Sequence, residues 1–134
     1  MKLTGIHHSS IVVTDMSRAR RFYAELLGLP EVQRPANFVT PVVWFEVGDE
    51  QIHLIPSDHA DSESPRHVAL HVEDARAARE HFRSRGVPIE ETTPIAGADR
   101  FFIQDPDGNK VEMIQIDPTY DGPVQPRQFR RQSP

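Results

Sequence analysis

The sequence predicts an α+β fold built from two copies of one β–α–β–β–β module. Three observations carry that expectation. The chain repeats itself at a constant offset: His8-Ser9-Ser10-Ile11-Val12-Val13-Thr14-Asp15 answers His67-Val68-Ala69-Leu70-His71-Val72-Glu73-Asp74. The offset returns at a second pair, His53 and Glu112, since 67 − 8 and 112 − 53 both equal 59. A fixed period of this size is the signature of an internal structural repeat. Hydrophobic periodicity then switches between strand and helix in the same order in each copy, and matched glycines and prolines close the two helices.

The first copy opens with alternation over Ile6 to Val13, a strand pattern. Asp15 is placed to cap a helix, because its carboxylate can accept free N–H groups of the first turn. Ala19, Phe22, Tyr23, Leu26 and Leu27 follow at the spacing of a core-facing helical stripe. Gly28 suits the left-handed position after a helix, and Pro30 prevents its continuation. A short strand near Glu31 to Arg34 and two longer ones, Val42 to Val47 and Gln51 to Ile55, complete the copy, the last two joined through Gly48-Asp49-Glu50.

The second copy predicts a strand from His67 to Glu73, Asp74 as cap, and a helix from Ala75 to Arg85 presenting Ala75, Ala78 and Phe82. Gly86 and Pro88 end it, a strand follows over Pro88 to Thr93, and Phe101 to Gln104 pairs with Lys110 to Ile116 across Asp105-Pro106-Asp107-Gly108. The expected organisation is one domain over 1–116, with module 1 about 3–56, a polar linker 57–66 and module 2 about 67–116. The remaining 117–134 carries Pro118, Pro123, Pro126 and Pro134 with Arg127, Arg130 and Arg131. It reads as an extended arm, disordered or laid on a neighbouring subunit.

A chain of 134 residues with 37% hydrophobic content can bury a core, whereas two separate modules of half that size would be marginal. The net charge of −5 argues against a nucleic-acid partner. No apolar run reaches the roughly 20 residues of a membrane span, and no signal-peptide pattern opens the chain. A cytoplasmic location without membrane association is therefore expected. With no cysteine, a bound metal would have to be held by nitrogen and oxygen.

Strand parity singles out the candidate ligands. Successive side chains on a strand point to opposite faces. Ile52 and Leu54 oppose His53 and Gln51; Val68, Leu70 and Val72 oppose His67 and His71; Val111 and Met113 oppose Glu112. The apolar parity should pack on the helices and leave the other for a polar surface. A lone histidine on a strand is ordinarily just hydrogen-bonded or exposed. Repeat equivalence and common parity set His8, His53, His67 and Glu112 apart. Three imidazoles and a carboxylate suit zinc, nickel, cobalt, manganese or ferrous iron, with positions left for water or substrate. His71, Gln51 and Ser10 share the ligand parity and could touch ligands or substrate. His7 has the opposite parity and is expected on the helix side or at an edge. No phosphate loop, dinucleotide fingerprint or nucleophile elbow is present.

These phrases, with Phe22-Tyr23, Leu27-Gly28-Leu29, Phe45-Glu46-Val47-Gly48, His53-Leu54 and Phe102-Ile103-Gln104-Asp105-Pro106-Asp107-Gly108-Asn109-Lys110-Val111-Glu112, resemble the vicinal oxygen chelate superfamily over residues 3 to 116. That superfamily includes glyoxalase I, methylmalonyl-CoA epimerase, fosfomycin-resistance enzymes, extradiol dioxygenases and bleomycin-binding proteins. The resemblance implies paired modules forming a U-shaped mixed sheet around a divalent metal, commonly in a homodimer, with ligands at His8, His53, His67 and Glu112. Glyoxalase I enzymes usually show Glu where this chain has His53, and an Arg for glutathione where it has Val12. Glyoxalase-like proteins with His-Leu at the second position are the better match. The resemblance then implies a lyase or isomerase on a small oxygen-bearing substrate, through a metal-stabilised enediolate, with Glu112 as ligand and proton shuttle. An extradiol-type dioxygenase, using His8, His67 and Glu112 on ferrous iron, and a non-catalytic binding or resistance protein are the alternatives.

Overall fold

A computed structural model describes residues 1–117. The expected arm beyond Asp117 lies outside the described residues. Packing divides the chain into two units. One holds Met1–Arg66 together with Gln104–Asn109; the other holds His67–Ile103 and, of the described residues, those from Lys110 to Asp117.

In the first unit, strands β1 (His8–Val13), β2 (Glu31–Val32), β3 (Val43–Val47) and β4 (Glu50–Pro56) form one mixed sheet in the order β1-β4-β3-β2. β1 runs parallel to β4, whereas β3 is antiparallel to both β4 and β2. In the second unit, β5 (His67–His71), β6 (Glu90–Glu91), β7 (Ala98–Gln104) and β8 (Lys110–Ile116) repeat this as β5-β8-β7-β6. The repeat reaches the hydrogen-bond register itself. His8 lies opposite Gln51 and Ser10 opposite His53; each number plus 59 gives the second unit's pairs, His67 opposite Lys110 and Ala69 opposite Glu112. Two βαβββ modules are thus present, as the periodicity requires.

The caps form where expected. Asp15 Oδ1 accepts from the Arg18 N–H at 3.0 Å, and Asp74 Oδ1 accepts from the Ala77 N–H at 2.9 Å. Gly28 and Gly86 take φ of 73° and 71°, the left-handed conformation that ends each helix at low steric cost. The helices are α1 (Met16–Arg20) and α2 (Ala75–Arg83).

Several boundaries differ from the sequence expectation. The first helix does not stay α: Arg21–Leu26 widens to a π turn, with the Leu27 N–H donating five residues back to Phe22 O at 2.9 Å. The smaller angular step lets adjacent Phe22 and Tyr23 both enter the core, whereas Leu26 and Leu27 are only half-buried. Strand Pro88–Thr93 shrinks to Glu90–Glu91, since Pro88 and Pro94 bring no N–H to a ladder. β7 begins at Ala98 rather than Phe101, β1 at His8 rather than Ile6, and β5 stops at His71. Ile11, Val13, Phe45, Ile52 and Leu54 line the core of the first unit; Leu70, Phe82, Phe101, Ile103, Val111 and Met113 line that of the second.

The turn from Asp105 to Gly108, expected simply to close the last hairpin, packs within the first unit. Asp105 is 5% exposed and fully engaged. Its Oδ1 accepts from the Asp107 and Asn109 N–H groups, both at 2.9 Å. Its Oδ2 accepts from the Tyr23 hydroxyl at 2.7 Å and from Asn109 Nδ2 at 2.8 Å. Asn109 Nδ2 also donates to Val12 O at 2.9 Å, and Asp107 takes the Thr14 N–H at 3.0 Å and Arg18 Nη2 at 3.0 Å. Burial, then the Asp105 charge, pushes the Tyr23 phenol far above its usual range, so it stays a hydrogen-bond donor.

Candidate functional site

Residues opposite one another in neighbouring strands share a face. On the first sheet Ser10, His53 and Trp44 form one cross-strand row, and His8, Gln51 and Glu46 the next. The rings on this face stack in a column. His8 lies on His53 with centroids 3.9 Å apart and planes 12° apart; Trp44 stacks on His53 at 4.6 Å and 11°. His53 is 8% exposed, and its Nε2–H donates to Gln51 Oε1 at 2.8 Å. Burial first, and then the neighbouring His8 and His7, lower the His53 pKa below its ordinary value of 6.5. The neutral imidazole that metals bind is therefore the favoured form.

Of the two places expected for His7, the helix side or an edge, it does not take the first. It precedes β1, so strand alternation does not govern it, and its Nδ1 shares a 2.9 Å hydrogen bond with His8 Nδ1. Its ring sits 6.4 Å from that of His53, in the same cluster rather than on the helix side. Ser10 is exposed on the same face, opposite His53.

The second sheet holds the other two predicted ligands. His67 Nε2 and Glu112 Oε2 are 3.1 Å apart, and Arg100 Nη1 donates to the other carboxylate oxygen, Oε1, at 2.8 Å. Glu112 is 6% exposed. Arg100 is itself steadied by a 3.1 Å hydrogen bond to Thr93 O. Phe102 meets the His67 ring edge-on at 4.9 Å, and Lys110 Nζ lies 5.5 Å from the Phe102 centroid. His71 pairs with Ile114 in the ladder. Burial lowers its pKa from 6.5, opposed by a hydrogen bond to the Ile114 backbone.

The four predicted ligands are thus gathered two by two, one pair in each unit. Among the described residues no three His, Cys, Asp or Glu side chains are grouped so as to hold a metal ion. The donor chemistry of the His67–Glu112 pair fits one nevertheless. Two donors about 2.1 Å from a common tetrahedral or octahedral ion stand roughly 3.0–3.4 Å apart. His67 Nε2 and Glu112 Oε2 are directly hydrogen-bonded here, and their 3.1 Å separation also falls in that range.

Two residues that matter here were missed in the sequence. Trp44 backs His53 and Arg100 backs Glu112, each from the neighbouring strand: an indole on an imidazole, a guanidinium on a carboxylate. The signal for both was parity. Trp44 alternates with Val43 and Phe45, and Arg100 with Phe101, once β7 is extended to Ala98.

Because His53 and His71 take up a proton less readily than an ordinary histidine, the unfolded chain binds protons first as pH falls through 6.5. Unfolding free energy is therefore expected to fall with pH from 6.5 down to the folded-state values. Denaturant midpoints at about pH 8 and about pH 5.5 check this; a midpoint unchanged or higher at the lower pH would contradict it.

A family model described as the Glyoxalase/Bleomycin resistance protein/Dioxygenase superfamily matches residues 5–113. The chain belongs to this superfamily. Among superfamily relatives, a lactoylglutathione lyase of Haemophilus influenzae is 28% identical over 130 residues, spanning 87% of this chain and 96% of that protein. MhqA of Bacillus subtilis, named as a ring-cleaving dioxygenase, is 29% identical over 126 residues; 83% of this chain matches, but only 40% of that longer protein. The crystal structure of a glyoxalase-family protein from Bacillus anthracis superposes with a TM-score of 0.80 at 22% identity, covering 87% of this chain and 98% of the other, a likeness of fold. Among the described residues no helix is long and apolar enough to cross a membrane.

Proposed function

We propose that this chain is a divalent-metal-dependent lyase or isomerase of the glyoxalase kind, acting on a small substrate with oxygens on adjacent carbons. The ligands would be His8, His53, His67 and Glu112. The observation that carries this reading is the His67–Glu112 pair, spaced at 3.1 Å as neighbouring ligands are, with the free choice of the carboxylate removed by Arg100. Each unit supplies two ligands. One ion per chain then requires both pairs, whether from one chain or from two copies of a homodimer.

The ion, when bound, would supply a Lewis acid that draws charge from the substrate oxygens. The protein's own part is proton movement and positioning. Glu112 would take a proton from one carbon of the substrate and return it to its neighbour. Arg100 keeps the carboxylate from rotating, and Trp44 with Gln51 fixes the plane of the His53 ring. The location proposed is cytoplasmic, in keeping with small-molecule chemistry.

Metal analysis of protein reconstituted after chelation should give about one equivalent per chain; less than about a tenth would sink the reading. Hemithioacetals, formed with and without glutathione, should then be isomerised. The relative named as a ring-cleaving dioxygenase favours one second reading, an extradiol-type dioxygenase using Fe(II). Oxygen uptake with catechols that depends on ferrous iron, without hemithioacetal turnover, would select it.

A further inference from the structure

A cavity of about 330 Å³ lies in the first unit, between the β2–β3 edge of the sheet and the chain that joins those strands. That is the lower end of the range for small-ligand sites, room for a single ring with a short substituent. Its lining combines an aromatic surface with cationic groups. Trp44 forms part of the wall, and Phe38 leans against it with centroids 5.3 Å apart. Arg20, Glu31 and Arg34 also line it.

The charges do not cancel. Arg20 Nε donates to Glu31 Oε1 at 2.8 Å, which neutralises both. The Arg34 guanidinium donates to the carbonyl of Thr40, a neutral acceptor, and among the described residues no ion pair is formed by it. One positive charge is therefore left at a cavity walled by an indole. A planar guanidinium fork matches a carboxylate, and an indole face matches a flat, conjugated body. The geometry points to a binding site for a small planar monocarboxylate, an aryl or conjugated acid, with its body against Trp44 and its carboxylate on Arg34.

Trp44 belongs both to this cavity and to the ring column on His53, so the site adjoins the candidate metal ligands. As a statement about substrate class the inference rests on the metal-dependent reading above; as a statement about binding it does not. The experiment separates the two. Trp44 is the single tryptophan of the chain, so its fluorescence, read in chelator-treated protein, reports on a ligand at the cavity wall.

Chelator-treated protein is titrated with benzoate, benzyl alcohol, acetate and inorganic phosphate. Benzoate should change the emission saturably with a Kd of about 1 mM or tighter, and the other three should bind at least about tenfold more weakly. Arg34→Gln should weaken benzoate about tenfold or more while leaving benzyl alcohol unchanged, and Arg34→Lys, which keeps the charge without the fork, should fall between. Glu112→Gln, which should lose the metal, must retain benzoate binding. A chain that takes no metal but binds benzoate would refute the metal reading alone. Equal binding of benzyl alcohol, equal binding of phosphate, no saturable response to benzoate, or an Arg34→Gln variant that binds like the parent would each overturn the proposed site.

Discussion

Asp105→Ala is expected to lower the unfolding free energy by about 4 kcal/mol. The carboxylate is 5% exposed and accepts four hydrogen bonds. Its removal leaves the buried Tyr23 hydroxyl and two part-buried backbone N–H groups without their acceptor, and a buried group so left costs about 1–3 kcal/mol. Tyr23→Phe removes one of those bonds and the group that made it, so about 1.5 kcal/mol is expected. Urea titrations of the three proteins check the ordering. An Asp105→Ala loss below about 1 kcal/mol would show that the turn at 105–108 does not hold the first unit together.

Glu112→Gln is expected to abolish tight divalent-metal binding, and Arg100→Gln to weaken it by about 10–100-fold. The two act differently. Glu112 would lose the anionic ligand itself, whereas Arg100 supplies only the 2.8 Å hydrogen bond to Oε1 that leaves Oε2 facing His67. Arg100→Lys should recover part of the affinity, because an ammonium can still donate to Oε1 without the second arm to Thr93 O. Calorimetric titration of chelator-treated protein with zinc or manganese measures all three. Wild-type affinity in Arg100→Gln would show that the carboxylate is oriented without it.

The residues that were easiest to read in the sequence are those whose role is local. Asp15 and Asp74 cap their helices because the nearest free N–H groups are three residues away, and Gly28 and Gly86 end them because the backbone there needs φ above 70°. Such positions depend on a few neighbours along the chain. The π turn at Arg21–Leu26 was not legible, because it answers to the packing of Phe22 and Tyr23 rather than to propensity. His7 is not on the helix side for a related reason: alternation predicts a face only inside a strand, and the strand starts one residue later.

The 59-residue repeat by itself determined the two βαβββ modules and marked out His8, His53, His67 and Glu112, since a repeated pattern of polar and apolar residues demands the same folding solution twice. Only the tertiary structure decided what stands beside them. Trp44 and Arg100 reach His53 and Glu112 across neighbouring strands, and Asp105 reaches Tyr23 across 82 positions. Contacts of that kind depend on which strands pair and in what register, which periodicity along the chain does not encode. The division of the four ligands into two pairs has the same origin: matching positions in a duplicated sequence occupy matching places in two sheets, and it is sheet membership that makes His53 a neighbour of His8 and Glu112 a neighbour of His67.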